Sequence, residues 1–174
     1  MIYLDPQRTV DLLANALKDL EEAMHQGDKA VVLPNFPRCI QLDGWTCGAR
    51  SVYVILRYYG KRCTVKSAEK ALRTDWEGTD VDDIKKVLTK HGLVCQEKVR
   101  GRLCDLTNAI DNGCPILIST HGSWHYEVVY GYSRNHLYVA NSAILGDCGS
   151  LWCRVQRKQF NHIWDRWGLV VSDK

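Results

Sequence analysis

Apolar residues recur at helical spacing through the first half of the chain and at strand spacing through the second. Val10, Leu13, Leu17, Leu20 and Met24 fall three or four apart, so they share one face of a helix. Asp5-Pro6 supplies an N-cap followed by proline at the first helical position, and the helix is expected to stop near Gly27. VVLPNFPRC, with two prolines, predicts a short extended piece and a loop. Val52, Ile55, Leu56 and Tyr59 predict a second helix over Cys47 to Tyr59, closed by Gly60. Ser67 to Arg73 predicts a short third helix. Thr79 with Asp82 three on resembles a capping arrangement for a fourth, carried by Ile84, Val87 and Leu88 and ended at Gly92. Asp105 to Asn112 predicts a fifth.

Beyond Cys114 the pattern changes. CPILIST, WHYEVVYGY and HLYVA are rich in β-branched and aromatic residues and are separated by Gly, Ser and Asn, which predicts consecutive antiparallel strands. Leu151 to Val155 and Leu169 to Val171 extend the set, with helix over Gln156 to Trp164 between them. Helices first and strands second is an α+β pattern. At 174 residues, with no internal repeat or long linker, one domain over 1–174 is expected, its first 30 residues an extra helical segment.

Composition removes several function classes. Net charge is +3 and the sequence pI about 8.4, with basic residues scattered, so nucleic acid is not an expected partner. No run approaches the ~18 apolar residues of a membrane span. The start, MIYLDPQRTV, lacks the basic and apolar regions of a signal peptide, so a cytoplasmic protein is expected. Eight cysteines carry no CxxC pair, which gives no support to a zinc ribbon or a thioredoxin-type motif. Cys148 and Cys153 flank a possible hairpin and could pair or bind metal. Most of the other cysteines are expected to act as small buried apolar residues.

The remaining cysteine, Cys47, lies where a turn becomes a helix, with Gln41 six positions upstream. A helix N-terminus stabilises negative charge and can lower a thiol's pKa, and a glutamine amide can donate to an oxyanion. Among six histidines, His125 opens a predicted strand and His121 in the preceding loop is its chief competitor as a base. His136 lies at a turn and is expected to be exposed. Asn141 follows the HLYVA strand, where an antiparallel neighbour could bring it beside His125 to orient the ring. Asp147, in a predicted loop, is the alternative. Each residue alone has a bland reading: inert buried thiol, structural histidine, turn asparagine. Their order Gln, Cys, His, Asn is what points to chemistry. Trp45, Trp124 and Tyr126 are candidates for a substrate groove or for packing.

Three segments resemble the bacteriocin-processing, double-glycine leader peptidases among the papain-like cysteine peptidases. QLDGWTCGARSVYVILRYYG is similar to that family's glutamine, cysteine, glycine and YYG pattern. GTDVDDIKKVLTKHGL resembles its second helical signature, and CPILIST, HYEVVYGY and LYVANS resemble its proline-led strand, histidine strand and following acidic strand end. The resemblance implies a papain-like α+β fold with Cys47 as nucleophile, His125 as base and acid, Gln41 as oxyanion donor and Asn141 as the orienting residue. It implies a peptide or protein substrate and no cofactor. The family usually has Asp-Pro where this chain has Asn141-Ser142, so the carboxylate that would stabilise an imidazolium is expected to be missing. Nor does the chain contain the GxxxxGK[ST] loop of the transporters to which such peptidases are often fused. Acyl transfer through the same thioester, a non-catalytic peptide-binding domain, and a zinc or redox module are the alternatives.

Overall fold

The computed structural model describes residues 29–37, 39–143 and 152–174, without the side chains at 152 and 153. The predicted helix over Asp5 to Gln26, and Asp147 and Cys148, lie outside the described residues.

Five described helices pack with one antiparallel sheet. Helix α1 spans Cys47–Tyr58, α2 Val65–Ala71, α3 Val81–Lys90, α4 Leu103–Asp111 and α5 Arg157–Ile163. The strands are β1 (Val31–Val32), β2 (Leu93–Lys98), β3 (Ile116–Thr120), β4 (His125–Tyr132), β5 (His136–Ala140), β6 (Trp152–Gln156) and β7 (Trp164–Asp173). Their order across the sheet is β2-β7-β3-β4-β5-β6, with β1 pairing β4 beside this path.

The helical faces read from spacing are the buried ones. Val52, Ile55 and Leu56 of α1, and Ile84, Val87 and Leu88 of α3, join Ile116, Leu117 and Ile118 of β3 and Val128 and Val129 of β4 in one core. Both α1 and α3 are followed by glycines at positive φ, Gly60 at 67° and Gly92 at 83°. Several boundaries differ from expectation. Helix α2 begins at Val65 because Thr64 and Ser67 form a reciprocal capping box. The cap of α3 is Asp80, whose carboxylate accepts from the Asp82 N–H at 2.7 Å. Thr79 instead shares a hydrogen bond with the Thr74 hydroxyl at 2.9 Å.

Strand β2 interrupts the helical half and was not expected. It lies at the sheet edge, where only one side needs a partner, and Glu97 and Lys98 keep its outer end charged. It pairs with Gly168 to Asp173, and β3 pairs with β7 back to Trp164, so β7 outruns its apolar stretch Leu169 to Val171 at both ends.

Candidate active site

A carboxylate organises the turn that leads into α1. Asp43 accepts from the backbone N–H of Trp45 at 3.0 Å and of Thr46 at 2.8 Å, and from the Thr46 hydroxyl at 2.8 Å. Burial alone would push the Asp43 carboxyl up. The bonds from Thr46 and Trp45 outweigh it and hold the group below the usual carboxylate range. Asp43 therefore stays charged and keeps the turn closed, with Cys47 as the first residue of α1.

The start of α1 is pinned against the start of β4. The backbone at Tyr126, the residue after His125, is among the groups that act on the Cys47 thiol. One turn further along α1, the Ser51 hydroxyl donates to the Tyr126 carbonyl at 3.3 Å. Gly48 permits the approach, because a Cβ there would stand 2.7 Å from the Thr79 Cβ and 3.2 Å from the Tyr126 ring.

Cys47 is only 6% exposed. Burial pushes its thiol up, and hydrogen bonds with the backbone at Tyr126, Gly48 and Cys47 itself pull it only part of the way back. The nearby Asp43 carboxylate adds to the upward shift. The lowered thiol pKa expected from a helix N-terminus is thus reversed, since desolvation here exceeds the stabilisation from the helix end. Among the described cysteines Cys47 is the buried one. Cys39, Cys63, Cys95 and Cys114 are half-buried and Cys104 is exposed, against the expectation that most would be buried.

His125 and Asn141 come together through strand register. Val128 pairs with Ala140 across β4 and β5, so the next position along brings Asn141 opposite Glu127, diagonal to His125. The His125 Nε2 lies 3.0 Å from the Asn141 Oδ1. That oxygen also accepts from the Ala143 N–H at 2.8 Å. The Asn141 Nδ2 donates to the Glu127 Oε1. A carboxylate needs a donor and a backbone N–H needs an acceptor, so both neighbours turn the Asn141 oxygen toward His125. An amide oxygen only accepts. The ring must therefore carry its proton on Nε2, which leaves Nδ1 as the basic nitrogen.

Gln41 is tied to the same segment. Its N–H donates to the Ser142 carbonyl at 2.8 Å, its Oε1 accepts from the Ser142 hydroxyl at 2.6 Å, and its Nε2 donates to the Asp43 carbonyl at 2.9 Å. His121 sits exposed in the turn between β3 and β4 at φ 58°. His136 is half-buried at the start of β5, not exposed as expected. Tyr126 and Thr79 wall a groove of about 590 Å³, together with Arg73, Asp75, Glu77 and Asp80. Trp45 and Trp124 do not line it and are 45% and 86% exposed.

One residue of this site escaped sequence reasoning. Glu127 is 4% exposed and its Oε1 lies 3.7 Å from the His125 Nε2. The available signal was a lone carboxylate inside an apolar strand, two residues after His125 and so on the same face. Among the described residues, no group of three or more His, Cys, Asp or Glu side chains could hold a metal ion. No helix among them is long and apolar enough to cross a membrane.

A family model described as the Peptidase C39 family matches residues 35–174. No curated protein is a significant match. Among solved structures, the chain is similar to a double glycine motif protease from an AMS/PCAT transporter, solved in complex with the leader peptide. Identity is 18% and the TM-score 0.67, over 86% of this chain and 96% of the other. A C39-like peptidase from Bacillus anthracis matches at 16% identity and TM-score 0.67, over 84% of this chain and 99% of that one. The peptidase domain of Streptococcus ComA, a bi-functional ABC transporter, matches at 18% and 0.66, over 80% and 100%. These likenesses share the papain-like fold.

Proposed function

The chain belongs to the peptidase C39 family, and on that premise we propose that it is a cysteine peptidase in which Cys47 is the nucleophile and His125 the base. The observation that supports this reading is the packing of the first turn of α1, which begins at Cys47, on Tyr126, next to a histidine whose Nε2 faces the Asn141 oxygen.

The proposed steps use these residues in turn. Burial disfavours the Cys47 thiolate, so the sulfur needs a base to take its proton. As the sulfur attacks the substrate carbonyl, its proton passes to the His125 Nδ1, the nitrogen left basic by the bond to Asn141. The oxyanion takes the Cys47 N–H and a hydrogen of the Gln41 amide. An amide nitrogen carries two hydrogens, and one is held by the Asp43 carbonyl. Ser142 fixes the other end of that amide, so the second hydrogen has a set direction. His125 then protonates the leaving amine, and water releases the acyl group. The related protease solved with a leader peptide makes a peptide with Gly-Gly just before the scissile bond the first substrate to try.

A peptide vinyl sulfone ending in Gly-Gly tests the assignment. It should modify Cys47 in preference to the other seven cysteines, and His125→Ala should slow this by about 100-fold or more. Modification of Cys47 no faster than of the others, or at a rate indifferent to His125, would overturn it. Adding amines to the peptide reaction separates hydrolysis from acyl transfer through the mass of the product.

A further inference from the structure

We propose that Glu127 is a positioning residue of this site: its carboxylate fixes the Asn141 amide and supplies, beside His125, the negative charge that Asn141 does not carry. The inference rests on the peptidase reading and deepens it.

Three observations support it. Glu127 is almost wholly buried, and an ionised group in that position requires partners. Its Oε1 accepts from the Asn141 Nδ2, which turns the Asn141 oxygen onto the His125 Nε2. The same oxygen stands 3.7 Å from that nitrogen. When the thiol proton moves to Nδ1 the ring becomes cationic, and a carboxylate at this distance favours the cation. Glu127 takes no proton in the step. The S–H bond breaks, the S–C bond forms, the proton rests on His125 until the amine leaves, and the carboxylate balances the charge.

Among the described residues, further charged or titratable groups stand on the elements packed around β4. From α1 come the Cys47 thiol and Arg50, which pairs with Glu69 at 3.2 Å and lines a small space against Asn141. From the preceding segment come Asp43, which acts on the Cys47 thiol, and the half-buried Cys39, 3.7 Å from the Arg50 guanidinium. Tyr126 is on the same strand, its hydroxyl pushed up to about 12 by burial and by the charge of Cys47. None of these contacts places a second carboxylate against the His125 ring.

The test is the rate of Cys47 modification by the Gly-Gly vinyl sulfone across pH, in three proteins. Glu127→Gln keeps an acceptor for Asn141 and removes only the charge. It should slow the reaction at least about tenfold and move the acid limb, where His125 is protonated, to lower pH by about one unit. Asn141→Asp/Glu127→Gln returns one carboxylate to the ring and should recover both rate and limb to within about threefold and half a unit of wild type. A Glu127→Gln profile superimposable on wild type overturns the proposal. So does a double variant that folds but stays slow, because Glu127 would then serve only packing. If Glu127→Gln alone fails to fold, the double variant against wild type decides the matter. A wild-type protein that does not react at all would instead refute the peptidase reading.

Discussion

Replacing Gly48 by alanine tests whether the approach of α1 to β4 sets the reactivity of Cys47. Gly48 is the second residue of α1, and an added Cβ would lie 2.7 Å from the Thr79 Cβ, 2.8 Å from its Oγ1 and 3.2 Å from the Tyr126 ring. Regaining an ordinary 3.4 Å contact requires a shift of about 0.7 Å from the closest of these. Thr79 cannot yield cheaply. The clash involves its Cβ next to the main chain, its hydroxyl is bonded to Thr74 at 2.9 Å, and Asp80 beside it caps α3. Alanine gains at most about 1 kcal/mol over glycine in a helix, and less in the first turn. Overpacking costs about 1–3 kcal/mol. The balance is a loss of roughly 1 kcal/mol, readable as a lower urea midpoint with unchanged slope. The effect on chemistry should be larger. A shift of this size moves the adjacent Cys47 relative to β4, and misplacement by about 1 Å can cost 10²-fold in rate. Gly48→Ala should therefore react with the Gly-Gly vinyl sulfone at least about tenfold more slowly than wild type. Gly48→Ala/Thr79→Gly, which removes the opposing carbon, should regain most of that rate. A single variant as stable and as reactive as wild type would refute the reasoning.

Two further outcomes follow from the same site. Because burial raises the Cys47 thiol, alkylation by iodoacetamide should climb about tenfold per pH unit from pH 6 to 8. A plateau already reached at pH 6 would mean a preformed thiolate. Ser142→Ala strips the Gln41 Oε1 of its donor and should lower kcat by about tenfold with little change in KM, short of the 10²–10³ expected for Gln41→Ala. An unchanged kcat would remove Ser142 from the site.

Much of this was legible because it is local. The face of α1 follows from Val52, Ile55 and Leu56, and its end from Gly60. The meeting of His125 and Asn141 was legible too, because Tyr132 and His136 leave room only for a tight hairpin, which returns the end of β5 to the start of β4. What escaped depends on partners distant in sequence. LVCQEK holds little apolar alternation and becomes a strand only because β7 offers it an edge. Thr79 looked like a cap, but the Thr74 hydroxyl draws its side chain away. The helix start at Cys47 suggested an acidic thiol. Its true environment is set by Tyr126 and the packing over it, which no local spacing reports. Nothing local to HYEVVYGY reports the partner of Glu127, and only the fold shows that its carboxylate is buried against Asn141.

The Asn141-Ser142 pair, in place of the Asp-Pro that the resemblance implies, is best understood together with Glu127. An aspartate at position 141 would orient His125 and carry its countercharge in one side chain. Asn141 can only orient. Glu127, across the strand pair, holds the amide in the orienting direction and brings the charge. At the next position a proline would keep the carbonyl that accepts from the Gln41 N–H, but would lack the hydroxyl that holds the Gln41 Oε1. The segment Asn141-Ser142 thus bonds both His125 and Gln41, the base and the oxyanion donor of the proposed reaction. Reversion of Asn141 to Asp alone would set a second carboxylate in contact with buried Glu127. Two unit charges about 4 Å apart repel by about 4 kcal/mol at an effective dielectric of 20, which proton uptake can relieve. The single reversion should therefore weaken the protein increasingly as pH rises above about 4, where the unfolded chain gives that proton up. Position 141 can accept a carboxylate only when position 127 releases one.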